Sequence, residues 1–285
     1  MLLSPKLRTL ATQWLPPAVL TGVRRVLDYV RPAPWEYVPE GWRTVDPRIQ
    51  GWNVESIART QTERWPLFLE ALKGTRPLGV SHESPTPSNA DYAMHNTIMS
   101  FAYVLALAAR RTERLSLLDW GGGIGHYYAL SKALLPGVPI DYFCRDLPLL
   151  CQAGRALQPD ATFLEDDESC RSRRYDLVLS SFSLPYSEDW RHTAGILASV
   201  TRSYLYITRL PVVQRVPSFV VVQRPYSVGY RTEYLGWFLN RNEFLQHLDS
   251  LNMELIREFL IQERPLVHRA PEQAHCAGFL FQPRG

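Results

Sequence analysis

The chain has 285 residues, 46% of them hydrophobic and 21% charged, which is enough to bury a sizeable core and excludes a disordered polyelectrolyte. Thirty-one Lys and Arg against 28 Asp and Glu leave a net charge of only +3, too small to point to nucleic acid as a partner. The four cysteines form no C-x-x-C pair, no secretory signal precedes them, and no apolar run reaches the roughly 20 residues of a membrane span, so the expectation is a cytoplasmic protein with reduced thiols.

In chain order, residues 1–34 read as a basic amphipathic extension in which Lys6, Arg8, Arg24, Arg25 and Arg31 face only Asp28. The stretch from Leu10 to Leu27 mixes Trp14, Leu15, Val19, Leu20 and Val23 with Arg24 and Arg25. It suits either docking on its own domain or peripheral contact with the inner membrane face through residues 1–30. Residues 35–90 follow as a helical lead-in rich in tryptophan, with a helix over 54–73 and a loop over 77–87. A long helix is expected from Asp91 to Arg111, with Met94, Ile98, Phe101, Leu105 and Ala108 on one face.

From Leu115 the pattern alternates. Leu115 to Leu118, Ile140 to Arg145, Thr162 to Leu164, Asp176 to Ser180 and Tyr204 to Thr208 read as strands. Helices over 127–135, 147–157 and 188–200 separate most of them. Such alternation implies parallel strands joined by right-handed crossovers, so the expected class is α/β: a doubly wound, Rossmann-like, mainly parallel sheet, with residues 91–285 as its domain. An insertion over 211–236 carries a strand at Phe219 to Gln223, Asn240 to Glu243 reads as a capping signal for a helix ending near Ser250, and two strands close the chain, over 254–261 and 278–282.

The chemistry concentrates after the first of these strands, in Asp119-Trp-Gly-Gly-Gly-Ile-Gly125, the pattern D-x-G-x-G-x-G. Gly121, Gly123 and Gly125 permit a tight turn that approaches a ligand closely, and the following helix aims free N–H groups at it. The dinucleotide fingerprint G-x-G-x-x-G is not met, because the sixth position from Gly121 is His126 and that from Gly123 is Tyr128. Asp146 ends the next strand 27 positions beyond Asp119, where a carboxylate can accept two hydrogen bonds from a ribose diol or cap the helix that begins at Leu147. No metal-ligand cluster and no G-x-S-x-G elbow occur, and nothing fixes an oligomeric state.

The glycine turn resembles motif I of the class I S-adenosylmethionine-dependent methyltransferases. Tyr175 to Tyr186 resembles their motif IV, with Ser181, Phe182 and Tyr186 as floor residues, and Asp146-Leu147-Pro148 looks like a turn of small-molecule O-methyltransferases. Residues 35–66 and 95–109, with the blocks at 180–190, 209–211 and 237–244, are similar to a family of methyltransferases encoded among bacterial surface-polysaccharide genes. The resemblance implies S-adenosyl-L-methionine as cofactor, an antiparallel C-terminal strand, and methyl transfer to a hydroxyl of a small-molecule or lipid-linked saccharide. It also implies that Asp166 or Asp167 meets the adenine amine, and that Asn96 and His95, on the helix before the first strand, lie over the cofactor. His95 and His126 are the candidate bases and Tyr186 the candidate orienting donor. Arg215, Arg224 and Arg231, beside Phe219, Tyr226 and Tyr230 in the insertion, suit an anionic saccharide. Two other readings are a non-catalytic S-adenosylmethionine-binding subunit and a nicotinamide-dependent oxidoreductase.

Overall fold

A computed structural model describes residues 32–84 and 89–285, and the chain divides into Met1–Pro34 and Trp35–Gly285. The expected basic extension and its membrane contact over residues 1–30 lie outside the described residues. The apolar run that feeds the glycine turn forms β2 (Leu115–Trp120), preceded by β1 (Trp35–Tyr37), α1 (Glu55–Ala71) and α2 (Tyr92–Ala109). After it come α3 (His126–Leu134), β3 (Ile140–Arg145), α4 (Pro148–Leu157), β4 (Thr162–Leu164), α5 (Asp167–Arg171), β5 (Tyr175–Ser181) and α6 (Trp190–Val200). The chain ends with β6 (Thr201–Val213), β7 (Phe219–Gln223), β8 (Tyr234–Asn240), α7 (Arg241–Ser250), β9 (Met253–Leu260) and β10 (His275–Pro283).

Strands β4, β3, β2, β5 and β6 lie side by side in that order and are parallel throughout. This is the doubly wound, Rossmann-like arrangement the alternation predicts. Beyond β6 the sheet departs from an all-parallel order, because β10 pairs antiparallel with both β6 and β9. Successive residues of the central strands face opposite sides, so Leu117, Leu177 and Leu179 join Ile98, Phe101 and Leu105 of α2 in one core. Leu118 and Val178 join Trp190 and Leu197 of α6, Phe244 of α7 and Phe279 in the other. Both faces are therefore covered, as a parallel sheet requires.

Three local features mark helix starts, and the last of them is the expected capping signal. Asp91 caps α2 by accepting from Met94 N at 3.0 Å, Leu147 precedes Pro148 at the start of α4, and the Asn240 side chain accepts from the amides of Asn242 and Glu243. The insertion is more ordered than the sequence reading has it. Residues 211–213 extend β6, and β7 and β8 form an antiparallel hairpin that joins the sheet through Val212 and Val213 of β6. The lead-in is also not wholly helical, since Trp35–Tyr37 pairs with Val221 to Gln223 of β7. A three-residue edge strand such as β1 has too few residues for a period of two to be visible.

Candidate functional site

The sheet order reverses beside β2, whose neighbours are β3 on one side and β5 on the other. At such a switch point the connections leave in opposite directions and open a crevice beyond the carboxyl ends of the strands. The glycine turn sits there. Gly121, Gly123 and Gly125 have φ of 71°, 62° and 89°, the left-handed region that a side chain enters only at a cost. At Gly121 a Cβ would also collide with Ser183, on the loop after β5, so the turn and that loop pack backbone against side chain.

A cavity of about 220 Å³ opens above the turn. Its wall includes Gly121, Gly122 and Gly123, then Asp146 and Leu147 from the end of β3, and Ser181 and Phe182 from the end of β5. The Asp146 carboxylate ties two of these segments together, accepting from Gly123 N and from Leu147 N, each at 2.7 Å. Burial raises its pKa, and the two backbone donors work against that rise. Each oxygen retains accepting capacity toward the cavity, because a carboxylate has about four acceptor sites.

Several sequence-predicted residues do not line this cavity. Asp119 is buried beneath the turn, 1% exposed, where one carboxylate oxygen accepts from the Tyr142 hydroxyl and the other has no partner. It supports the turn from below. Gly125 is the N-cap of α3 and is buttressed by Gln158, whose Nε2 donates to the Ile124 and Gly125 carbonyls. Asp166 caps the short α5 by accepting from Ser169 N at 2.7 Å, and Asp167 pairs with Arg145 at 2.6 Å. The four-acid run is therefore a helix start and two ion pairs, the second from Glu165 to Arg155, and it is Arg145, not Asp167, that reaches the cavity wall. Asn96 and His95 sit on α2 but off the cavity, which that helix meets through Met94 and Ile98, one turn apart.

The two remaining catalytic candidates do face the cavity. His126 stacks on His82 with ring centroids 4.0 Å apart and packs edge-on against Trp65 and Phe68. Burial, with His82 beside it, drives its pKa well below the usual imidazole value, so it is neutral. Tyr186 donates to Gln223 Oε1 at 2.6 Å, and burial raises its phenol well above the ordinary tyrosine value. Ser181 shares a 2.8 Å hydrogen bond with the Tyr127 hydroxyl.

Sequence reasoning missed most of the opposite wall. Gln61 and Phe68 come from α1, Val80, His82 and Glu83 from the loop after it, and Trp52 from the segment before it. Arg209 was part of a resemblance block but not a site candidate. In the structure it lines the cavity with φ of 53°, carries two hydrogen bonds to Glu263 at 2.8 and 2.9 Å, and lies 4.9 Å over the Phe182 ring. A left-handed, non-glycine residue held by a part-buried ion pair marks strain concentrated at the cavity.

Two of the three insertion arginines, Arg224 and Arg215, pair with acids of the chain, while Arg231 is exposed. Arg224 pairs with Glu36 at 2.9 Å and Glu233 at 3.1 Å, and Arg215 with Glu272 at 3.6 Å. The expected anion site overlooks Glu233, which lies inside the same insertion and is 1% exposed. All four cysteines are free and buried. Among the described residues no cluster of three His, Cys, Asp or Glu could hold a metal ion, and no helix is long and apolar enough to cross a membrane.

Neither a scan of protein-family models nor a search of curated proteins returns a match. Among solved structures the chain is similar to the magnesium protoporphyrin IX methyltransferase of Synechocystis PCC 6803 with bound SAH, at 13% identity and a TM-score of 0.47 over 81% of this chain and 97% of that one. It is likewise similar to the CcbJ methyltransferase of Streptomyces caelestis, at 13% identity and a TM-score of 0.48 over 70% and 94%. A third is an S-adenosylmethionine-dependent methyltransferase of Clostridium acetobutylicum ATCC 824, at 11% and 0.43 over 67% and 92%.

Proposed function

We propose that the cavity binds S-adenosylmethionine and that the protein transfers its methyl group to a hydroxyl of a saccharide, free or lipid-linked. The observation that carries the cofactor reading is the junction of the glycine turn and Asp146 on one cavity wall at the switch point, fixed by the 2.7 Å bond from Gly123 N. A nucleoside suits this wall. Asp146 has accepting capacity for a ribose diol, and Leu147 and Leu150 present an apolar surface for a base.

One feature favours this reading over a nicotinamide oxidoreductase. The turn lacks the G-x-G-x-x-G spacing. The lining further supports turnover rather than binding alone, because the cavity continues past the turn to Trp52, Tyr186 and Arg209. Aromatic faces and a fixed guanidinium suit a polyhydroxylated acceptor, while O-methylation of a saccharide in surface-polysaccharide synthesis rests on the family resemblance.

When bound, the sulfonium supplies an already activated methyl group. The protein's part is then to hold the acceptor oxygen in line and to exclude water. Met94 and Ile98 of α2 and Phe68 of α1 close the cavity with apolar groups. Calorimetric titration is expected to give binding of S-adenosylmethionine and S-adenosylhomocysteine and none of NAD; the reverse pattern refutes the cofactor reading. Tritium transfer from labelled S-adenosylmethionine to nucleotide-linked and lipid-linked sugars tests the acceptor class.

A further inference from the structure

We propose that Glu83 is the catalytic base of this site, taking the proton from the acceptor hydroxyl as the methyl group is transferred; the assignment rests on the methyl-transfer reading above. Glu83 lies on the cavity wall, on the loop that follows α1. Its backbone is fixed on both sides, with the carbonyl accepting from Arg64 and the amide donating to Ser81 Oγ at 3.3 Å. A base must be held where its proton arrives, and this segment is so held.

The other titratable groups on the wall suit the role less well. Both oxygens of Asp146 accept from backbone amides, and their remaining capacity is the one assigned above to the ribose diol. The rings of His82 and His126 stack on each other against Trp65 and Phe68, and burial lowers the pKa of both, which leaves two weakly basic imidazoles. Tyr127 and Tyr186 are neutral phenols hydrogen-bonded to Ser181 and Gln223. Arg209 is engaged with Glu263 and carries a permanent charge. Glu83 is the other carboxylate among the described lining residues; it accepts from the Tyr230 hydroxyl and, with about four acceptor sites on a carboxylate, keeps capacity for a further proton donor.

Its location also fits. Burial comes first in raising the phenols of Tyr186, Tyr230 and Tyr234, and the charge of Glu83 adds to all three. Arg209, which burial disfavours as a cation, is held protonated by Glu263 and by Glu83. Glu83 shares the cavity wall with Tyr186, from the loop after β5, and with Arg209 of β6. A cofactor held at Asp146 and the glycine turn would occupy the same cavity as Glu83. In the transfer, the acceptor O–H bond breaks as its oxygen bonds the methyl carbon. The carbon–sulfur pair returns to sulfur, and the proton ends on the Glu83 carboxylate, from which water removes it.

The test compares wild type, Glu83→Gln and Glu83→Asp in two measurements. One is S-adenosylmethionine affinity by calorimetry; the other is tritium transfer from labelled cofactor to nucleotide-linked sugars and to a bacterial lipid extract. The expected result is that Glu83→Gln leaves affinity within about threefold but lowers transfer by about 100-fold or more, with part restored in Glu83→Asp. Undiminished transfer by Glu83→Gln overturns the assignment while leaving the methyl-transfer reading standing. So does weakened cofactor binding with transfer per bound cofactor unchanged, which makes Glu83 a grip on the cofactor's ammonium group. Wild-type protein that binds the cofactor and labels neither acceptor pool overturns both.

Discussion

At the scale of single residues, the two aspartates singled out by the motif have opposite duties. Asp146 faces the cavity and Asp119 lies beneath the turn, and each predicts a different phenotype. Asp146→Ala removes a charged acceptor, and hydrogen bonds to charged groups contribute about 1.5–3 kcal/mol, so S-adenosylmethionine affinity is expected to fall by about 10- to 100-fold in a calorimetric titration. Unchanged affinity would remove the diol assignment. Asp119 instead predicts a pH dependence. Burial, reinforced by the charge of Asp146 and opposed by the Tyr142 hydroxyl, pushes its carboxyl up to about 7, above the unfolded value of about 4. The native state thus holds this proton more tightly than the unfolded chain does. The resulting stabilisation is complete below pH ~4 and is lost as the pH rises through about 7. Asp119→Asn, which still offers the Tyr142 hydroxyl an acceptor, should lack that slope. Urea midpoints at pH ~5 and pH ~8 are expected to fall further in wild type than in the variant, and parallel changes would show that Asp119 is ionised throughout.

At the scale of elements, the hairpin β7–β8 is anchored by charge pairs that sequence reading assigned to a ligand. Arg224 lies between Glu36 of β1 and Glu233 just before β8, and Tyr226 donates to the same Glu233 carboxylate at 2.5 Å. Removing one partner of a buried pair leaves the other uncompensated, at about 3–5 kcal/mol. Arg224→Ala is therefore expected to lower stability by about 3 kcal/mol, the smaller end because Arg48 and Tyr226 still reach Glu233. Arg215→Ala, at an exposed pair, should change the urea midpoint little. Equal effects would mean that the Arg224 pairs are not what anchors the hairpin. The same elements show what a sequence discloses. The strands β2 to β5 and their helices were readable because apolar runs and periods of 3.6 report burial directly. Asp146 was readable because its role follows from its place at the end of β3. Gln61, His82 and Glu83 were not, since a residue on α1 or on the loop after it carries no local sign of which strand ends it will face. Arg224 was misread because its charge is balanced by Glu36, 188 positions away in sequence, and by Glu233, within the insertion itself.

At the scale of the whole molecule, the cavity joins parts of the chain that are otherwise separate layers. Its wall takes Gln61 from α1, Met94 from α2, Asp146 from β3, Phe182 from the end of β5 and Arg209 from β6. A ligand seated there bridges the strand ends and the helices above them, and it binds only when all are in place. Its binding free energy is then added to the stability of the folded state as RT ln(1 + [L]/Kd), about 2.7 kcal/mol at a hundredfold excess over Kd. For a domain of this size each kcal/mol raises Tm by about 2–4 °C, so saturating S-adenosylmethionine or S-adenosylhomocysteine is expected to raise Tm by about 5–10 °C. NAD should leave it unchanged. Asp146→Ala at the same ligand concentration should show a much smaller rise, because its Kd is higher, whereas Glu83→Gln should keep the full rise even though transfer is lost. A rise with NAD, or an undiminished rise in Asp146→Ala, would mean that the ligand is held by some other part of the wall than the junction of Asp146 with the glycine turn.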